Sequence, residues 1–217
     1  MTTEEEEHEV HEVHEGVPCE APAADVAQVR EELGYVPNNL VRVAAFVAGD
    51  GSGRTSRARE SAEQRPATLL LYPLRSAEDA YKKKQRAKVE PFPTIYWLSS
   101  TELKARVSAL EDQQLVLALQ RRLDADDAAK QKMKQSHREY AEQRWLMMTP
   151  RDLELVKGRR WEFFLRDVGI AGIREYTNVK CLHTHYAHYL ATGNNLVGEW
   201  VQELLDSAAA TERTEVL

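Results

Sequence analysis

Pro91-Phe92-Pro93-Thr94-Ile95-Tyr96-Trp97-Leu98-Ser99-Ser100-Thr101-Glu102-Leu103 divides the chain into two kinds of structure. Two prolines open a short apolar and aromatic run, the composition of a β-strand. The Ser-Ser-Thr-Glu that follows reads as a capping box, with Ser99 at the N-cap and Glu102 three residues on. Leu103, Val107 and Leu110 then recur at helical spacing. Upstream the apolar segments are strand-like; downstream they are helical.

Working back from this point, Thr68–Leu74 and Leu40–Ala48 read as two further strands. Loop compositions lie between them at 49–66 and 75–91. Residues 24–33 carry Val26, Val29 and Leu33 on one helical face, with Gly34 as the stop. Working forward, the helix from Thr101 is expected to run to about Leu123, and Asp124–Asp127 breaks the chain. A second helix carries Met133, His137, Tyr140 and Arg144 on one stripe and ends near Met148. Thr149-Pro150-Arg151-Asp152 combines a Thr cap, a Pro at the first helical position and an early acid, so a helix is expected from there to Asp167. Residues 178–191 and 195–207 read as the last two helices. These elements predict an α+β fold: a small three-stranded antiparallel sheet packed on five or six helices. One domain is expected over 23–207, with a frayed end at 208–217.

Charge sets the N-terminus apart. Residues 1–20 hold eight glutamates and no Lys or Arg; removing them from the net charge of −6 leaves +2 for the remainder. Residues 1–22 are too polar to offset their ordering entropy and read as a disordered acidic tail. His8, His11 and His14 lie three apart, so they miss the two-His, four-apart spacing of a zinc protease helix. There is no basic-then-apolar leader and no apolar run of about 20 residues, so neither a signal peptide nor a membrane span is expected. With two cysteines only, Cys19 and Cys181, a reducing cytoplasm is the expected setting. Gly49-Asp50-Gly51-Ser52-Gly53 lacks the lysine of a phosphate-binding loop.

Pro91–Leu98, Ser136-His137-Arg138-Glu139-Tyr140, Gly169-Ile170-Ala171-Gly172 and, above all, Val179-Lys180-Cys181-Leu182-His183-Thr184-His185-Tyr186-Ala187-His188-Tyr189-Leu190 occur in this order. In that arrangement the chain resembles the "domain of unknown function" family numbered 501, over roughly residues 25–205. The family name brings no activity, so the resemblance implies kinship without mechanism. The family pattern often has a Cys after the Tyr-Trp-Leu strand and another near the first strand. Here Ser100 takes the former place and Val41–Gly53 contains no Cys, which argues against a site built on several thiolates.

The candidate chemistry lies in the Lys-Cys-Leu-His stretch. On a helix that turns about 100° per residue, with Cys181 as the origin, His185 falls at about 40° and His188 at about 340°. His183 falls at about 200° on the same wheel and points away. A thiolate and two imidazoles on one stripe supply three ligands for a tetrahedral ion such as zinc, with His137 as the candidate fourth. The same residues also suit a packed polar core, or a Cys181–His185 nucleophile–base pair. Three functional readings follow. One is a metal-dependent or Cys/His-based enzyme using Cys181, His185, His188 and His137. Another is a non-catalytic interaction protein. The last is a nucleic-acid or ribonucleoprotein accessory using the basic run Lys82–Lys88 with Lys157, Arg159, Arg160 and Trp161.

Overall fold

A computed structural model describes residues 20–76 and 89–215. The acidic tail to residue 19, Cys19 and the basic run Lys82–Lys88 lie outside the described residues. The fold is α+β. Among the described residues are strands β1 (Leu40–Val47), β2 (Thr55–Ser56), β3 (Arg65–Leu71), β4 (Leu74–Ser76), β5 (Val89–Pro91) and β6 (Tyr96–Leu98). The helices are α1 (Ala23–Leu33), α2 (Thr101–Asp112), α3 (Leu115–Asp124), α4 (Asp127–Leu146), α5 (Pro150–Gly158), α6 (Leu182–Thr192) and α7 (Leu196–Glu215). Among the described residues, no helix is long and apolar enough to cross a membrane.

The expected three-stranded sheet is a four-stranded antiparallel one, in the order β2-β1-β3-β6, with β4 and β5 paired beside it. The apolar run at 68–74, expected as one strand, divides at Tyr72-Pro73. Pro73 cannot donate to a ladder, so β3 ends and β4 turns to pair with β5. Alternation along β6 then sorts the core. Tyr96 and Leu98 face the helical layer, whereas Trp97 joins α1 on the other side. On that second face Val29 packs with Leu40, Val43, Phe46, Leu69 and Leu71. The sheet is therefore covered on both faces, with α6 lying against β1, β3 and β6.

Two long helices expected from the sequence are each broken, for the same reason. Buried Leu103, Val107 and Leu110 share a face, but Leu119 and Leu123 are buried too. A continuous helix would place that second pair about 180° from the first. Gln114 instead takes a left-handed conformation (φ 60°), which separates α2 from α3 and turns both faces inward. Likewise Val156 and Leu165, nine residues apart, are both fully buried. Here α5 stops at Gly158, Arg160 adopts φ 57°, and a π-helical turn at Phe163–Asp167 brings Leu165 inward. The N-cap of α2 is Ser100, one residue later than the capping box implies, and its hydroxyl accepts from Leu103 N. The last helix runs to Glu215, through the strong helix formers Ala208–Ala210.

Candidate functional site

The helix carrying the candidate residues begins later than expected. Residues 178–181 are held extended by side chains of the preceding helices: Val179 N donates to Gln120 Oε1 at 2.7 Å and Leu182 N to Glu111 Oε1 at 2.6 Å. Cys181 is thus the N-cap of α6, with φ −76° and ψ 113°, and its place on a helical wheel loses its meaning. On the true helix His185 and His188 lie about 60° apart, and His183 lies about 140–160° from both. The four predicted residues do not gather at one point. They divide between two polar clusters on opposite sides of α6.

His185, His188 and His137 form the inner cluster, all at most 2% exposed. The ring of His137 on α4 meets that of His185 edge-on at 6.0 Å and stacks on Tyr176 at 4.9 Å. His188 packs between Tyr140 and Tyr96, at 5.2 and 5.5 Å. Asn195, at the entry to α7, organises the group. Its Oδ1 accepts from Gly198 N at 2.9 Å, which fixes the amide so that Nδ2 lies 3.2 Å from Nδ1 of both His185 and His188. Two amide hydrogens thus meet two ring lone pairs. Ile170 N donates to His137 Nδ1 at 3.0 Å in the same way. With Nδ1 accepting, the neutral His137 and His188 rings carry their proton on Nε2. His185 Nδ1 also lies 3.3 Å from Asn195 Oδ1, and the buried Nε2 atoms of His137 and His185 have no hydrogen-bond partner among the described residues. Burial drives their pKa values down, to about 3 for His137 and His188 and about 4 for His185. These are neutral rings in a packed core.

The outer cluster contains Cys181 and two residues outside the predicted set, His183 and Glu111. His183 Nδ1 lies 3.8 Å from Cys181 Sγ and 3.2 Å from a Glu111 carboxylate oxygen. Ligand atoms of the three side chains all fall within 4.8 Å of one another, and this is the one such grouping of His, Cys, Asp and Glu among the described residues. The cluster is partly exposed. On the far edge of its ring, His183 Nε2 sits 3.2 Å from Lys104 O and 3.1 Å from Ser108 Oγ. In the neutral ring, donation to that carbonyl turns the Nδ1 lone pair toward the sulfur and the carboxylate; in the protonated ring Nδ1–H donates to them. Burial opposes ionisation of Cys181, but the His183 ring and the Thr184 N–H and hydroxyl outweigh it, so the thiol titrates below its usual value. The Cys181 partner, helped by Glu111, raises His183 to about 9. The N-terminus of α6 adds a favourable field for a thiolate.

The wheel turns His183 away from Cys181 only when Cys181 is helical, which it is not. Glu111 left no local signal: it lies 71 residues from the N–H that it accepts. Ser100 is spent on capping α2 and takes no part in either cluster.

Fold and clusters together define a mainly helical α+β protein with a thiol, an imidazole and a carboxylate meeting at a helix N-terminus. The chain belongs to the DUF501 family, described as a protein of unknown function, whose model matches residues 57–203, about two thirds of its length. No curated protein and no solved structure matches it.

Proposed function

We propose that this chain binds a divalent metal, zinc by its ligand chemistry, through Glu111, Cys181 and His183, and that the site serves metal-assisted hydrolysis. One observation carries the reading. For tetrahedral zinc with ordinary bond lengths, the sulfur–nitrogen edge is about 3.6 Å and the nitrogen–oxygen edge about 3.3 Å. The observed separations are 3.8 and 3.2 Å. The surrounding groups support it. Lys104 O and Ser108 orient His183 from behind, and Leu182 N holds the carboxylate, as outer partners do around metal ligands. Three protein ligands leave a fourth position for water or substrate, the composition of catalytic rather than closed structural zinc sites.

The test is elemental analysis with a competing chromophoric chelator, on the full chain. Wild type and the tail variant H8Q/H11Q/H14Q are expected to hold about one equivalent of zinc each, and C181S, H183A and E111Q far less. A metal-free wild type, or equal zinc in wild type and C181S, would reject the site.

A second reading uses the same cluster without metal. The lowered thiol and raised imidazole describe a thiolate–imidazolium pair, the activated state of a cysteine nucleophile. Chelator-treated protein separates the two. In the second reading Cys181 alkylates with iodoacetamide at neutral pH faster than a free thiol and any activity survives chelation; in the first, zinc protects Cys181 and chelation ends activity.

A further inference from the structure

The π-helical turn has a surface consequence that is independent of the candidate metal site. By bringing Leu165 inward it puts two phenylalanines outside: Phe163 is 41% exposed and Phe164 47%. Their rings meet edge-on at 5.6 Å. The backbone beneath them is fixed, because buried Arg144 donates to Leu165 O at 2.7 Å and to Val168 O at 2.5 Å. One guanidinium covers a Phe ring, and two more lie over tryptophans of the same and the neighbouring segment. Arg174 lies over Phe163 at 5.0 Å, Arg159 over Trp161 at 5.9 Å and Arg166 over Trp145 at 5.5 Å. None of these three arginines has a carboxylate partner among the described residues, whereas Arg54, Arg59, Arg65, Arg75 and Arg122 each have one. Two exposed and two half-buried rings, with guanidinium groups that form no ion pair with the neighbouring Glu162, Asp167 and Glu175, on a pinned backbone, are the elements of a base-stacking platform with phosphate contacts.

We propose that the face formed by Trp161, Phe163, Phe164, Arg159, Arg166 and Arg174 binds single-stranded nucleic acid. A lipid surface fits less well. Inserting Phe163 into a bilayer would bury the guanidinium that covers its face, whereas a base or a phosphate accepts that group where it stands. Bases stack on such rings with little regard to sequence, so the site reads strand form rather than sequence.

Fluorescence anisotropy of labelled oligouridylate and oligothymidylate, about 12 nucleotides long, tests this on the full chain. Binding is expected at low salt, with log Kd rising linearly with log salt. The double variant F163A/F164A is expected to weaken binding by about tenfold or more. R159Q/R166Q/R174Q is expected to flatten the salt slope by up to about three. All these side chains are on the surface, so thermal unfolding should stay near wild type. K82Q/K83Q/K84Q, in the basic run, should keep most of the affinity. The proposal is overturned by no anisotropy change at low salt. It is overturned equally by wild-type affinity in F163A/F164A, by loss of binding in the lysine variant alone, or by capture of anionic phosphatidylserine vesicles in preference to the oligonucleotides.

Discussion

Lowering the pH from about 7.5 to about 5 should destabilise this fold through its inner histidines, by an amount the structure sets. His137 and His188 are buried and neutral, with pKa values near 3 against 6.5 for a free imidazole. Because the folded value is the lower one, the unfolded chain binds more protons between the two. The contribution to stability is therefore complete above about pH 6.5 and is lost as pH falls toward 3. At pH 5 each unfolded imidazole gains about 2 kcal/mol from protonation that the folded ring cannot match, about 4 kcal/mol for these two and about 6 with His185. Part of this is offset by His183, whose raised value favours the folded state as pH falls. Any folded value below about 4 gives the same result, so the figure rests on burial more than on the exact pKa. With a urea dependence of about 2 kcal/mol per molar, the denaturation midpoint should drop by about 2 M. Urea titrations followed by circular dichroism at several pH values measure this. His188→Gln should reduce the pH slope by about one proton. An unchanged midpoint between the two pH values would refute the assignment of these rings as buried and neutral.

Other outcomes follow from single contacts. Arg144→Met leaves the buried carbonyls of Leu165 and Val168 without their donor and that of Pro93 with only a long contact from Tyr140 Oη. After relief of the buried charge it should cost about 3–5 kcal/mol in chemical denaturation, with Arg144→Lys restoring little of it. Gly169→Ala would drive a Cβ into the ring of His137 at Nδ1, so a loss of about 1–3 kcal/mol is expected in the same assay. Asn195→Ala removes both the cap on α7 and the amide that bridges His185 and His188, which should cost about 2–3 kcal/mol. Saturating zinc, at about 100 times its dissociation constant, should stabilise wild type by about 2.7 kcal/mol and leave Cys181→Ser unmoved in thermal unfolding.

Much of the fold was legible because its signals are local. Thr149 caps α5 through Asp152 N, as its Thr-Pro-x-Asp sequence implies. The strands at Leu40 and Tyr96 and the stripe of α4 follow from spacing alone. What failed was phase. Reading Leu103 to Leu123 as one helix ignores that its two apolar groups point opposite ways, and the same slip hides the π-helical turn behind Val156 and Leu165. The site was half legible for a related reason. The wheel rightly put His185 and His188 together, and the stripe of α4 rightly turned His137 toward them. The wheel cannot know that Cys181 precedes the first helical turn, and no local pattern ties Glu111 to a helix start 71 residues away. Joining those two required the packing of α2 against α6, which is a property of the tertiary structure.

The span matched by the family model starts at residue 57, yet β1 ends at Val47 and α1 precedes it. That strand is an interior member of the sheet, hydrogen-bonded along the whole of β3. Trimming the protein to its recognisable portion would strip β3 of its neighbour and uncover Leu69 and Leu71. The result would be an unprotected strand edge beside bare apolar surface, a fragment disposed to self-association. The folding unit is larger than the part by which kinship is detected, and expression boundaries should be drawn upstream of Ala23.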